Sequence, residues 1–163
     1  MPYPAKVLVL GLGNDILTDD AVGLQVANAA HEALAGDPHI EVKATTEMGL
    51  ALLDEIVDRE AVVIVDSVQT GKAPPGHIHE IGPEDLPSLF ATSPHFLGVG
   101  ETLALGRLLG LAMPRQIRIF AIEVQDPFTL GTHLSAAVQQ AVAPAVERVI
   151  AQAGEFAAMT TPA

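Results

Sequence analysis

The chain has 163 residues, 20 of them acidic against 8 basic, for a formal net charge of -12. Hydrophobic residues make up 49% and charged residues 17%, which excludes a disordered chain, and the acidic balance argues against a face for nucleic acid or an anionic membrane. There is no cysteine, so disulfides, a thiol nucleophile, thiolate zinc sites and cysteine-held iron–sulfur clusters are all excluded. The length fits one domain over 1–163. No secretory signal is read at the N-terminus, where the apolar run Val7–Leu10 is short and soon followed by acids. The cytoplasm is therefore the expected location. The charge-free stretch from Pro127 to Val146 is long enough to span a bilayer, but it holds Pro127, Gly131, His133, Gln139, Gln140 and Pro144. It is read as a loop followed by an amphipathic helix, not as a membrane segment.

Strand-length apolar runs alternate with helical patterns, the mark of an α/β fold with a mostly parallel sheet and helices on both faces. Lys6 to Leu10 reads as a buried strand. Asp19 to Ala35 reads as a helix, with Val22, Val26, Ala29, Ala30 and Leu34 on its apolar side and Thr18 or Asp19 as its cap. Ile40 to Ala44 is a second strand and Leu50 to Val57 a short helix. Ala61 to Val65 is the clearest central strand, five apolar residues that end in Asp66. Gln69 to Gly76, with two Gly and two Pro, should be a loop. His77 to Ile81 alternates like an edge strand, and Pro83 to Phe90 should form one or two helical turns. Leu97 to Leu111 reads as a helix, Ile117 to Val124 as the last strand and Leu134 to Ala153 as the last helix, kinked at Pro144. The tail over 154–163 is expected to fray.

Open parallel sheets bind ligands beyond the carboxyl ends of their strands. Four stretches should emerge there: Gly11–Asp20, Asp66-Ser67, Ser93-Pro94-His95 and Gln125-Asp126-Pro127. Gly11-x-Gly13 after a strand hints at a dinucleotide loop, but the third glycine is replaced by Ile16 and two carboxylates follow where phosphate would sit. These glycines are read as permitting a tight turn. Of the two acids that open the first helix, one is expected to cap it and Asp20 to face the rim. Asp66 either caps the turn after it or belongs to a site. His95 gains interest from the company of Asp20 and Asp66. Two carboxylates and one imidazole make an O,O,N ligand set that suits nickel or zinc with positions left open. His77 and His79, two apart on a strand, are a rival pair and are read as solvent-exposed. Hydrolytic motifs are otherwise lacking: there is no Gly-x-Ser-x-Gly and no His-Glu-x-x-His. A paired-aspartate mechanism would require Asp20 and Asp66 to share a proton with no metal between them.

With these landmarks in place, the sequence resembles the hydrogenase maturation proteases. The likeness runs from Lys6 to about Arg148. It rests on Val7–Asn14, Leu17-Thr-Asp-Asp20, Val22-Gly23, the apolar strand ending in Asp66, and Ser93-Pro-His95-x-Leu-Gly98. The resemblance implies a three-layer α/β/α sandwich around a twisted, mostly parallel sheet of about five strands. It implies an endopeptidase of aspartic type that removes the C-terminal extension of a [NiFe]-hydrogenase large-subunit precursor once nickel has been inserted. It carries the family's metal-binding residues onto Asp20, Asp66 and His95. The nickel would come with the substrate, and no organic cofactor is implied. One departure stands out: the Asp-Gly-Gly-Thr of many members falls on Ala44-Thr45-Thr46-Glu47, so the family's acid is lost at Ala44. Glu47 is either its replacement or a first-turn helix acid. Asp126 and His133 stand behind it as further candidates, the latter because Gly131–Ser135 replaces a glycine-rich stretch of many relatives. Two other readings are carried alongside: a binding protein that checks the metal of the same precursor without cleaving it, and a generic metallohydrolase.

Overall fold

The structure, a computed structural model, describes residues 5–47, 49–85 and 94–160, and the side chains of 94–98 lie outside that description. Five strands form one sheet: β1 (Val7–Leu12), β2 (Ile40–Thr45), β3 (Ala61–Val68), β4 (Ile78–Ile81) and β5 (Gln116–Glu123). Their order is β2-β1-β3-β5-β4. All neighbours run parallel except β4, which pairs antiparallel with β5 at the edge. The helices are α1 (Val22–Leu34), α2 (Leu50–Ile56), α3 (Pro94–Leu108) and α4 (Ala136–Thr160).

Alternation along the strands divides the core in two. Val7, Val9, Val63, Val65, Phe120 and Ile122 pack against α1 and α4 on one face. Leu8, Leu10, Val62, Ile64 and Ile119 pack against Leu52 and Ile56 of α2 and Val99 and Leu103 of α3 on the other. Burial on both faces explains why β1 and β3 read as continuous apolar runs. This is the expected three-layer sandwich.

Four sequence expectations are corrected. β3 does not stop at Asp66 but runs to Val68, because Asp66, Ser67 and Val68 continue the ladder opposite Ala121, Ile122 and Glu123. The helix expected from Asp19 begins as a 3-10 turn, Thr18–Ala21, and becomes α-helical at Val22, with no side-chain cap on either segment. The expected fraying from Gly154 does not occur before Thr160: α4 continues because Phe156 and Ala157 are buried against the α1 face of the sheet. α3 starts at Pro94, three residues before the expected Leu97. Of the helical turns expected over Pro83–Phe90, Pro83–Asp85 form a 3-10 turn and the rest lies outside the described residues. No described helix is long and apolar enough to cross a membrane.

The strand order reverses between β1, whose chain continues outward to β2, and β3, which lies on the other side. That switch point, at the carboxyl ends of β1 and β3, is where open α/β sheets form their binding crevice. The 3-10 turn after β1 and the Asp66-Ser67 end of β3 therefore meet there.

Candidate functional site

The glycines around the crevice serve close approach. A Cβ at Gly13 would overlap the carbonyl oxygen of Asp20, and one at Gly23 would overlap Leu12 O and come within 2.6 Å of Val65 O. Without those side chains, the 3-10 turn and the start of α1 settle onto the ends of β1 and β3. The expectation of a tight turn is thus refined: these glycines hold the acid-bearing turn against the sheet. Thr18 adopts a positive φ of 26°, unusual for a β-branched residue. Its N–H donates to Gly131 O (3.1 Å) and its hydroxyl to Thr129 O (2.5 Å), which hold it there.

Asp19 and Asp20 then diverge. Asp19 is fully buried, and its carboxylate does not cap its own helix. It accepts the N–H groups of Gln125 (3.1 Å), Asp126 (2.9 Å) and Ser135 (2.7 Å) and the hydroxyl of Ser135 (2.9 Å). It ties the turn after β1 to the segment between β5 and α4. Asp20, also buried, turns toward β3 and accepts the Ser67 hydroxyl at 2.6 Å.

Asp66 and Ser67 lie on opposite faces of β3, Asp66 with Val62 and Ile64 toward α2 and α3, Ser67 toward α1. Ser67 nevertheless holds both acids: its N–H donates to Asp66 Oδ1 (2.7 Å) while its hydroxyl donates to Asp20. Asp66 is fully buried, and among the described residues its Oδ2 has no hydrogen-bond partner. Burial, and next the negative charge of Asp20, push its carboxyl well above the usual range, against the smaller opposing effect of the Ser67 N–H. An orphaned buried carboxyl oxygen costs free energy and is a donor ready for a cation or a water.

Asp20 and Asp66 are thus brought together. His95 falls in the first turn of α3, the helix whose Val99 and Leu103 pack on the Asp66 side of the sheet; its side chain lies outside the described residues. Among the described residues, no three His, Asp or Glu side chains group as a metal cage.

The remaining candidates take other places. Glu47 is exposed on the wall of a cleft of about 530 Å³ that also includes Ala21, Gln25, Ala44 and Thr132. This cleft borders the Asp20 turn through Ala21 but does not contain Asp20 or Asp66. Asp126 organises its own loop, accepting the N–H groups of Phe128 (3.0 Å) and Thr129 (2.9 Å); the Thr129 side chain first, then these N–H groups, hold its carboxyl below the usual range. His133 is exposed on that loop. The His77/His79 pair corrects the expectation of full exposure. His77 is exposed, but His79 is half-buried and its Nε2 lies 3.0 Å from Glu123.

Glu123 was not singled out by sequence, although like Asp66 it is an acid near the end of an apolar strand. It is buried and also accepts the Thr70 hydroxyl and the Thr70 N–H (2.8 Å). Burial raises its carboxyl, but Thr70, His79 and the Gly71 N–H together outweigh that and lower it. It pins the β3–β4 loop to the sheet. Ser67 was noted only as a serine lacking a base; its bridge depends on the turn of a distant segment, for which local sequence has no signal.

Comparison with known proteins bears on the fold and the family. Residues 24–152 match the family model described as hydrogenase maturation protease. The chain is 29% identical over 161 residues to the hydrogenase 2 maturation protease of Escherichia coli K12, covering 96% of both chains. Its structure is similar to the hydrogenase maturating endopeptidase HybD from E. coli, with a TM-score of 0.77, 30% identity and 93% of each chain covered. The [NiFe] hydrogenase maturation protease HybD from Thermococcus kodakarensis gives a TM-score of 0.70 at 27% identity, over 91% of this chain and 99% of that one.

Proposed function

The chain belongs to the hydrogenase maturation protease family, and from that premise we propose that this peptide hydrolase removes the C-terminal extension of a nickel-loaded [NiFe]-hydrogenase large-subunit precursor. The observation that carries the proposal is the Asp20–Ser67–Asp66 arrangement at the switch-point crevice, where Asp66 Oδ2 has no partner among the described residues.

In this reading the nickel is part of the substrate. Asp20, Asp66 and the His95 imidazole offer it an O,O,N set, a donor chemistry suited to nickel when the substrate's own ligands leave positions open. Recognising the metal positions the scissile segment over the crevice, a proximity effect. In the free enzyme the raised pKa of Asp66 favours its keeping a proton beside Asp20. An arriving cation favours release of that proton. Where the metal only docks the substrate and leaves Asp66 free of it, a buried carboxylate of raised basicity is suited to take a proton from the water that attacks the scissile carbonyl. Hydrolysis then yields a new C-terminal carboxylate on the large subunit and a freed peptide.

The test is cleavage of a nickel-loaded precursor by the purified protein, followed by the mass of the large subunit. The wild type should shorten it, and His95→Ala and Asp20→Asn should leave it full length while melting near the wild-type temperature. Full-length precursor at stoichiometric wild-type enzyme would overturn the proposal. It would favour the non-cleaving metal-checking protein, the reading that the loss of the family acid at Ala44 supports. Wild-type rates in both variants would sink the site assignment alone.

A further inference from the structure

Three large apolar side chains stand exposed on the rim of this site. Ile16 is 55% exposed, Phe128 76% and Leu130 74%. Isolated exposed apolar residues need no explanation, but these occupy two segments stitched into one. Leu17 bridges Leu130 and Gly131, and the Gly131 N–H donates to Ile16 O at 2.9 Å. Phe128 is held outward. Its own N–H and that of Thr129 are fixed on Asp126, the Thr129 carbonyl is taken by Thr18, and the Asp126 N–H is bound to Asp19. Phe120 and Phe156, by contrast, are buried.

The same hydrogen bonds that set Asp19, and with it the turn bearing Asp20, therefore set the apolar rim.

We infer that Ile16, Phe128 and Leu130 form a docking rim that seats an apolar surface of the precursor beside its C-terminal segment. The inference rests on the function proposed above. The occupant follows from adjacency: Leu17, whose carbonyl accepts the Asp20 N–H (2.7 Å), is bridged to Leu130 and Gly131, so a segment of the precursor bound at Asp20 lies beside the rim. The apolar chemistry fits as well, because on a chain of net charge -12 such a rim offers attachment that does not depend on the partner's charge. Apolar anchors of this kind carry a disproportionate share of interface affinity.

The experiment measures both cleavage kinetics and binding of the nickel-loaded precursor for wild type, Phe128→Asp, Leu130→Asp and Leu108→Asp. Leu108 is 83% exposed and ends α3 at the amino end of the sheet, so it serves as an equally exposed control. Each rim variant should raise KM and Kd about tenfold with kcat and melting temperature unchanged, and Leu108→Asp should behave as wild type. Unchanged KM and Kd in both rim variants, or an equal rise in Leu108→Asp, would overturn the inference. So would a wild-type dimer that Phe128→Asp dissolves, since a second copy would then be the occupant. Precursor that binds through the rim without being cleaved would overturn the protease reading and leave the docking rim standing. Cleavage that is indifferent to the rim variants would do the reverse.

Discussion

Asp19 and Asp66 are both fully buried carboxylates at the same end of the sheet, yet their surroundings are opposite. Asp19 accepts four hydrogen bonds from three residues of the β5–α4 segment. Among the described residues Asp66 accepts one, from the residue after it, and its second oxygen has no partner. A buried acid saturated with donors fastens the chain; a buried acid left short of them is raised in free energy and stands ready for a ligand. Ser67 and Asp20 connect the two regions, because Asp20 follows the fastened acid directly and is bridged to the unsaturated one. The site is strained on one side because it is braced on the other.

The strongest way to break this contrast is Asp19→Asn. The amide is nearly isosteric, but it turns one acceptor oxygen into a donor facing N–H groups that need an acceptor. Loss of part of a buried, charge-assisted network should cost about 3 kcal/mol, a fall of about 6–12 °C in the melting temperature of a domain this size. Processing should fall with it, since the turn that carries Asp20 loses its anchor to the β5–α4 segment. A melting temperature within about 1 °C of wild type would show that Asp19 is not the brace.

Ser67→Ala sharpens the comparison at its midpoint. It removes the hydroxyl that reaches Asp20 and keeps the N–H that reaches Asp66. Losing one hydrogen bond to a charged group should cost about 1–2 kcal/mol in thermal unfolding and slow processing by roughly tenfold through a misplaced Asp20. Ser67→Thr keeps the hydroxyl and should restore most of the rate. An alanine variant as fast as wild type would remove Ser67 from the positioning of the acids.

Much of this was legible in the sequence, for physical reasons that can be named. Burial on both faces makes β1 and β3 continuous apolar runs, so the sheet and the three layers could be read directly. Asp66 stood out because an acid at the end of such a run is expensive unless it has a task. What failed was the partner of each acid. Thr18 or Asp19 was expected to cap the helix that follows, but the donors to Asp19 lie more than a hundred residues away, and local spacing carries no trace of them. Asp66 was taken as a strand end, whereas pairing with Ala121 carries the ladder past it. Gly154 suggested a helix end, and only the tertiary burial of Phe156 and Ala157 keeps α4 going. Local chemistry predicts which residues are unusual; long-range packing decides what each is for.

The smallest expected change, Asp66→Asn, tests the unsaturated side. Burial and the Asp20 charge raise the folded-state pKa of Asp66 above its unfolded value, so the native protein binds a proton that the unfolded chain gives up above about pH 4. The stability tied to that proton is fully present below the unfolded pKa and is lost as pH rises through the folded one. Asn cannot ionise and is spared this loss. The variant should therefore melt with the wild type near pH 4 and pull ahead as pH rises, towards a plateau above the folded-state pKa. Glu123 has the opposite sign: its lowered pKa gives stability that is present above the unfolded value and lost only as pH falls through the folded one. It therefore contributes little slope in the window where the Asp66 difference opens. A gap that stays constant from pH 4 upward would mean that the free enzyme does not hold a strained, proton-retaining acid at Asp66. A gap that opens with pH would mean that the site is kept at a cost to the free protein's own stability, as expected of a group shaped for something the free protein lacks.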